Sequence, residues 1–296
     1  MKNHYLNIGN DKYKYIDWKE DNIEITSNCE YKLFDLDGSD IVDFNTNKWI
    51  LESNENSYKI LQQIDDFSFD CNILGIKNII KKNVLVCICS KYPNPFLYSC
   101  IDELYKKQIN THEDFIYKIH VVDSDSEDLI YYNQIEKDFP DIEIHMIKNK
   151  NYEYGAWKYI LDLYPSFDIY FCIQDSITIN KYIDLNILDN KTVYTFHHFS
   201  GYYLHLSIKE LGIENLKGSG LNYNSLIDTE FNLAQHSCFI VNNIIFKDIF
   251  KHLTVPPINK DGSCFYERNF GIYFLDKDIK TINLYDFMSK INGERK

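Results

Sequence analysis

Residues 81–180 alternate between short strand-like segments and segments with helical spacing. The strand-like segments are rich in β-branched and aromatic residues and end in polar residues; they are 84–89, 119–122, 142–147 and 169–173. Continuous apolar composition of this kind is typical of strands that are buried on both faces. Four strands that alternate with three helices predict a parallel, doubly wound α/β sheet.

Helix boundaries are marked by capping residues and prolines. Asn94 and Pro95 have the residue types of an N-cap and a first helical position, so we predict a helix from Pro95. Ser124 and Glu127 have capping-box spacing, which predicts that the next helix begins there and ends before Pro140. A third helix is expected over about 154–164.

The pattern weakens on either side of this region. Beyond residue 180 we predict strands at 192–197, 238–241 and 282–285, with a helix over 265–275. Residues 1–80 are acidic, with short alternating pieces such as 23–26 and 30–34, and predict a small β-containing appendage without recognisable chemistry. We therefore divide the chain into the appendage (1–80) and an α/β domain (81–296), whose two halves are about 83–180 and 181–296.

Composition excludes several classes of partner. A formal net charge of -13 over 296 residues disfavours a nucleic-acid partner. No apolar stretch is long enough to span a membrane, and the first residues do not resemble a signal peptide. The eight cysteines form no CxxC pair and most lie in apolar runs, as in a cytoplasmic protein with reduced thiols (the host cytoplasm if the source is viral).

Arginine is rare in this chain. Only Arg268 and Arg295 occur among 31 basic residues, a bias typical of an AT-rich genome such as that of a giant virus. An internal arginine that persists against such a bias is a candidate for a role that needs the planar guanidinium, such as binding phosphate.

Polar residues at the ends of three predicted strands carry a family resemblance. The pieces are Ser90-Lys91-Tyr92, the segment Val121–Ser126, the segment Asn151–Ala156, and Gln174-Asp175-Ser176. In parallel sheets, ligands bind just beyond the carboxyl ends of strands. In order and spacing, these pieces resemble the nucleotide-sugar half of GT-A glycosyltransferases, in particular their large inverting family. The resemblance covers about a third of the chain and implies a GT-A fold.

The resemblance implies a donor site for a UDP-sugar or another nucleotide sugar. Ser90, Tyr92, Asp123 and Asp125 would contact the nucleobase and ribose. Asn151 and Gly155 would let a helix N-terminus approach the nucleotide closely. Asp175 would hold a divalent cation, Mn²⁺ or Mg²⁺, that bridges the diphosphate. The family motif usually has two acidic residues, whereas this chain has one, so a metal-independent enzyme with cationic side chains at the diphosphate is an open alternative.

The second half is expected to supply the acceptor site and the catalytic base. An inverting transferase needs a carboxylate that takes the proton of the attacking hydroxyl of a glycan or other acceptor. Glu267 is the first candidate, and Asp228 and Glu230 are weaker ones. Arg268 is a candidate for binding the diphosphate. Glu267 as a surface residue of a helix is the competing interpretation.

Two other classes of function stay open. One is a nucleotidyltransferase acting on sugar phosphates, although the loop after the first strand of the domain lacks the glycines typical of those enzymes. The other is a non-catalytic protein, either a structural protein or one that binds carbohydrate or nucleotide sugar. The sequence leaves the sugar, nucleotide, acceptor, stereochemical outcome and oligomeric state undetermined.

Overall fold

The computed structural model divides the chain into two compact units, Met1–Lys81 and Lys82–Lys296, one residue from the expected boundary. In the first unit it describes nine strands between residues 4 and 79. It also describes Lys81, and in the second unit it describes 82–91, 95–111, 115–127, 129–197, 212–226 and 231–291.

The described part of the first unit consists of strands in two antiparallel sheets. One sheet has the order β1-β2-β9-β4-β5 and the other the order β3-β6-β7-β8. The strands are β1 (His4–Ile8), β2 (Asp11–Tyr15), β3 (Ile23–Ile25), β4 (Glu30–Phe34), β5 (Asp40–Phe44), β6 (Trp49–Asn54), β7 (Ser57–Gln62), β8 (Ser68–Cys71) and β9 (Ile76–Ile79). The predicted strand pieces 23–26 and 30–34 are confirmed as β3 and β4.

A seven-stranded, mostly parallel sheet forms the centre of the second unit. Its strands are β10 (Lys82–Ser90), β11 (Phe115–Asp123), β12 (Glu143–Met146), β13 (Ile169–Gln174), β15 (Thr192–Thr195), β16 (Phe239–Asn242) and β17 (Lys280–Asn283). The order is β12-β11-β10-β13-β16-β15-β17, in which β12, β11, β10 and β13 are mutually parallel and β16 runs antiparallel to both neighbours. Within the parallel part, the third, second, first and fourth strands follow one another, as in doubly wound folds.

Helices cover both faces of this sheet, as the sequence predicts. They are α1 (Pro95–Lys107), α2 (Ile130–Asp138), α3 (Tyr152–Leu163), α4 (Asn243–His252) and α5 (Lys260–Asp276). Successive residues of β10 point to opposite faces. Val84, Val86 and Ile88 therefore join a core with α1 and α2, while Leu85 and Cys87 join a second core with α3, α4 and α5.

A two-stranded sheet lies beyond the carboxyl end of β13. It pairs β14 (Ile177–Ile179) with β18 (Met288–Lys290) in antiparallel register, so that Ile177 faces Lys290. This pairing places β18, which is close in sequence to the C-terminus, near the carboxyl end of β13.

Two boundary predictions are wrong for identifiable reasons. The helix predicted from the Ser124–Glu127 capping box begins only at Ile130, after Leu129, which makes no side-chain cap. The Asp123 carboxylate binds Ser126 instead and holds the segment as a loop. The helix predicted over 265–275 begins earlier, at Lys260, because the side chain of Asn259 accepts a hydrogen bond from the Gly262 amide and caps it.

Two further findings concern the cysteines and the helices of the described residues. The six cysteines of the second unit are free thiols, and five of them are buried. Within the described ranges, no helix combines the length and apolar character needed to cross a bilayer.

Candidate functional site

Several residues predicted to bind the nucleotide sugar lie together at the carboxyl ends of β10, β11 and β13. Ser90 is the register partner of Asp123, and Cys89 is the partner of Gln174. The Ser90 hydroxyl donates to Oδ2 of Asp175 at 3.1 Å, and the Asp175 amide donates to the Cys89 carbonyl at 3.1 Å. Ser90 and Asp175 are fully buried. Polar groups buried in this way at a sheet end form the floor of a candidate ligand site.

Asp123 lies in this floor but already has three hydrogen-bond donors. Its carboxylate accepts from the Ser126 amide at 2.9 Å, from the Ser126 hydroxyl, and from Tyr132 Oη at 2.6 Å. Asp125 is exposed and has a left-handed backbone with φ of 66°. The structure thus gives Asp123 a role in ordering its own loop, and its contact with a nucleotide stays a prediction.

The side chains of Asn149 and Asn151 leave no room for a Cβ atom at Gly155. A Cβ at Gly155 would lie 2.1 Å from Asn149 Oδ1 and 2.9 Å from Asn151 Cβ. Asn149 Oδ1 accepts from the Asn151 amide at 3.0 Å, and Asn149 Nδ2 donates to Ser124 Oγ at 3.2 Å. Asn149 therefore ties the start of α3 to the loop after β11. The absence of a side chain at Gly155 makes room for these hydrogen bonds of Asn149, whether or not a nucleotide also binds here.

A network through Gln174 extends the site beyond the predicted residues. The Gln174 amide donates through Nε2 to Glu153 Oε1 and accepts through Oε1 from the Lys290 ammonium. Glu153 Oε2 accepts from Ser263 Oγ at 3.1 Å. Sequence reasoning missed Glu153 and Lys290, although Glu153 lies within the Asn151–Ala156 segment.

Glu267 lies beside this network on α5. It lies one helical turn after Ser263 on α5, so the two side chains share a face of the helix. Its Oε1 accepts from the His236 amide at 3.0 Å. Burial raises the pKa of the Glu267 carboxyl; the His236 hydrogen bond opposes the rise and the nearby Glu153 carboxylate adds to it. The structure therefore places this predicted base close to a second carboxylate, on the same end of the sheet as Asp175.

A strained backbone segment presents the amide that binds Glu267. His236 and Ser237 both have left-handed conformations, with φ of 61° and 53°. Such conformations cost about 1–3 kcal/mol each for residues other than glycine and persist only where neighbours enforce them. The Trp157 indole donates to the Ser237 carbonyl at 2.9 Å, and Tyr285 Oη donates to Gln235 Oε1 at 2.5 Å. These contacts hold the segment against Glu267.

Arg268 is not brought to the donor residues by any contact among the described residues. Its side chain leaves α5 about 100° around the helix axis from that of Glu267. The guanidinium lies 5.9 Å from the centre of the Phe265 ring, and its Nε is buried without a hydrogen-bond partner in the described part of the chain. Burial lowers the pKa of Arg268. Its role at a diphosphate stays a prediction.

Some predicted site residues cannot be placed. Tyr92 and both weaker candidates for the base, Asp228 and Glu230, lie outside the described residues. Among the candidate carboxylates of the second half, the structure therefore places Glu267.

A divalent cation at Asp175 would find few oxygen ligands among the contacts of the described residues. Asp175 offers one carboxylate and Ser90 a hydroxyl, whereas Mg²⁺ and Mn²⁺ prefer several oxygen ligands and often take them from substrate phosphates and water. The donor set fits a cation that is shared with a diphosphate, but not a site built from protein alone. Within the described residues, the single group of three or more metal-ligating side chains that could hold an ion is elsewhere, at His120, Glu143 and His145.

A cavity of about 490 Å³ lies away from this site. It is lined by residues along α4 and beside the carboxyl end of α5, including Lys191, Lys247, Lys251 and Lys277. The start of α4 follows Asn242, which pairs with Ile169 at the amino end of β13. The cavity therefore belongs to the opposite end of the sheet and contains none of the predicted site residues.

Comparisons with known proteins assign no family. No protein-family model matches the chain, and no curated protein is similar to it in sequence.

Proposed function

We propose that this chain is a GT-A-type glycosyltransferase that moves a sugar from a nucleotide sugar to a hydroxyl group of a glycan or other acceptor. The observation that carries the proposal is the Glu267 carboxylate. It has a raised pKa, is held by the His236 amide, and stands at the sheet end where Ser90 and Asp175 meet. A poised base beside a polar floor is the arrangement that acceptor activation requires.

The sheet topology supports the position of the donor. Ligands of doubly wound sheets bind in the crevice where the strand order reverses, which here is between β10 and β13. Ser90 ends β10, and Asp175 directly follows β13. A nucleotide sugar at this crevice would place its diphosphate near Asp175 and its sugar toward α5.

The proposed reaction is a single displacement with inversion. The acceptor hydroxyl oxygen bonds to the anomeric carbon while Glu267 takes the hydroxyl proton. The bond between the anomeric carbon and the diphosphate oxygen breaks, and the nucleoside diphosphate leaves with both electrons. The raised pKa of Glu267 suits this task because a stronger base shares the proton earlier in the transition state.

Negative charge on the leaving diphosphate needs a cation. A Mn²⁺ or Mg²⁺ ion held by Asp175 and the phosphate oxygens would neutralise that charge when bound. The Lys290 ammonium, bound to Gln174 beside Asp175, is a resident cation in the same place. Lys290 therefore supports the metal-independent alternative as specifically as Asp175 supports the metal-dependent one.

The test is a turnover assay over a panel of nucleotide sugars, with and without Mn²⁺ and with mixed glycan acceptors. Ligands that raise the melting temperature identify the donor first, since binding to the native state stabilises it. Transfer should release nucleoside diphosphate in the parent and be lost in Glu267→Gln, while Glu136→Gln, an exposed carboxylate on α2, should behave as the parent.

Two results would reject glycosyl transfer. Binding of nucleotide sugar without release of nucleoside diphosphate or sugar under any acceptor would identify a binding protein. Production of nucleotide sugar from nucleoside triphosphate and sugar phosphate, with release of pyrophosphate, would identify a nucleotidyltransferase.

A further inference from the structure

Three metal-ligating side chains converge on strands β11 and β12. His120 and Glu143 are register partners, and His145 follows Glu143 by two residues, so all three point to one face of the sheet. His120 Nδ1 lies 2.9 Å from His145 Nε2 and 3.7 Å from Glu143 Oε2, and His145 Nε2 lies 4.0 Å from the same Oε2. The register between β11 and β12 therefore places one potential ligand atom from each of the three side chains within 4.0 Å of the other two.

The ligand types favour a transition metal. Two imidazole nitrogens and one carboxylate form the protein ligand set of many zinc and non-haem iron sites, whereas Mg²⁺ prefers oxygen ligands alone. Metal–ligand bonds of about 2.0–2.1 Å in tetrahedral geometry separate the ligand atoms by about 3.3 Å. The observed separations lie on both sides of that value, so small side-chain rotations would bring the three atoms into coordination.

Neighbouring tyrosines orient two of the three ligands. Tyr164 Oη donates to Glu143 Oε2 at 2.7 Å, and Tyr159 Oη lies 3.3 Å from His145 Nδ1, the ring nitrogen that would face away from a metal. Ligating histidines almost always bind a partner through the second nitrogen, which fixes the ring and its tautomer. Tyr159 gives His145 such a partner and Tyr164 orients Glu143, whereas His120 Nε2 is buried without a partner among the described residues.

The three side chains of the cluster differ in their exposure to solvent. The His120 side chain is fully buried and that of His145 is 12% exposed, whereas the Glu143 side chain is 51% exposed. An ion bound here would keep a position for water on the Glu143 side. The cluster lies in the middle of β11, three residues before Asp123, and is therefore separate from the proposed donor site.

We propose that His120, Glu143 and His145 bind a divalent transition-metal ion of the zinc class, which fastens the edge strand β12 to β11. Among the described strands β12 pairs with β11 alone, so an ion across this pair would add a link at the least supported edge of the sheet. A direct hydrogen bond between the two imidazoles is the competing explanation of their 2.9 Å separation. The proposal does not depend on glycosyl transfer.

The experiment titrates Zn²⁺ into the chelator-treated full chain by calorimetry, with Co²⁺ as a second probe whose visible absorption reports its coordination. His145→Gln and Glu143→Gln are the test variants because both side chains reach the surface and His120 does not. His252→Gln is the matched control: His252 also has a carboxylate neighbour, with its Nε2 3.5 Å from Asp248, but no second imidazole beside it among the described residues.

We expect one equivalent of Zn²⁺ to bind to the parent and to His252→Gln, to raise the melting temperature, and to bind about 100-fold more weakly, or weaker still, to His145→Gln and Glu143→Gln. Tyr164→Phe should weaken binding by about 10- to 100-fold through the outer shell. If His145→Gln removes no equivalent, if the parent takes up no Zn²⁺, or if Mg²⁺ competes equally, the proposal fails and the hydrogen-bonded imidazole pair stands.

Discussion

Replacing Glu267 by Gln separates the chemistry of this residue from its packing. The amide has the same shape, and its oxygen can still accept the hydrogen bond that the His236 amide donates to Oε1 at 3.0 Å. The substitution therefore removes one negative charge and the ability to take a proton. General-base catalysis contributes about 10²–10⁴-fold, or roughly 3–5 kcal/mol of transition-state stabilisation, so kcat should fall by that factor.

The same substitution should stabilise the fold at neutral pH. Burial raises the folded-state pKa of Glu267 above its ordinary value of 4.5, with a further contribution from Glu153. A raised carboxyl pKa means that the folded chain binds the proton more tightly than the unfolded chain. Its stabilising effect is therefore complete below the ordinary pKa and is lost as the pH rises through the raised pKa. The glutamine side chain of the variant carries no charge at any pH, so this loss is absent.

The assay is steady-state release of nucleoside diphosphate together with thermal unfolding, each measured from acid to mildly alkaline pH. Parent turnover should rise with pH through the raised pKa of Glu267, because only the ionised carboxylate accepts a proton. Glu153→Gln should move this rise to lower pH, since it removes a neighbouring negative charge. Parental kcat in Glu267→Gln would refute the assignment of the base. A lower melting temperature of this variant in mildly alkaline buffer would refute the argument from burial.

Three further variants test the donor site. Asp175→Asn should abolish transfer and remove any tightening of diphosphate binding by Mn²⁺; a chelator-treated parent that transfers at full rate would instead assign the diphosphate to Lys290. Asp123→Ala removes the carboxylate that accepts from Tyr132 Oη and should cost about 1–3 kcal/mol by thermal unfolding. Loss of nucleotide affinity in Asp123→Ala but not in Tyr132→Phe would show direct contact, and equal behaviour would show a structural role. Gly155→Ala should destabilise by about 1–2 kcal/mol, since overpacking against Asn149 costs about 1–3 and the helix propensity of Ala returns up to about 1. In an Asn149→Ala background most of that loss should disappear.

The sequence was sufficient for the parallel core and for the residues at its carboxyl edge. Runs such as 84–89 and 169–173 contain mainly β-branched, aromatic and other apolar residues, and their burial on both faces follows from that composition. Once the strands are parallel, their carboxyl ends must lie at one edge, which is why Ser90, Asp123 and Asp175 could be grouped from the sequence alone. Local patterns were therefore enough where a local rule determines the placement.

Local patterns could not find the partners of Gln174. Lys290 reaches Gln174 across 116 residues of sequence, through the pairing of β14 with β18. Glu153 has no distinguishing sequence signal beyond an acidic residue in the first turn of a helix, which is common because it suits the helix dipole. The rarity of arginine drew attention to Arg268 and its neighbour Glu267 on α5. Adjacent residues leave a helix in different directions, so the Arg268 guanidinium lies near the Phe265 ring, although its charge still interacts with the Glu267 carboxylate. The role of both residues stays a prediction.

Under the proposed function, Gln174 stands where the GT-A motif usually has a second acidic residue, and its contacts account for an amide at this position. Gln174 accepts from the Lys290 ammonium and donates to the Glu153 carboxylate at the same time. A carboxylate could accept from Lys290, but it would repel Glu153 and leave that residue without its donor; a lysine would fail in the opposite way. Only a side chain with both a carbonyl and an NH₂ group satisfies both neighbours. Glu153 supplies a carboxylate from α3 to this position, and Lys290 supplies a cation from β18. The network that they form with Gln174 joins Asp175, at the predicted diphosphate, to the helix of the predicted base.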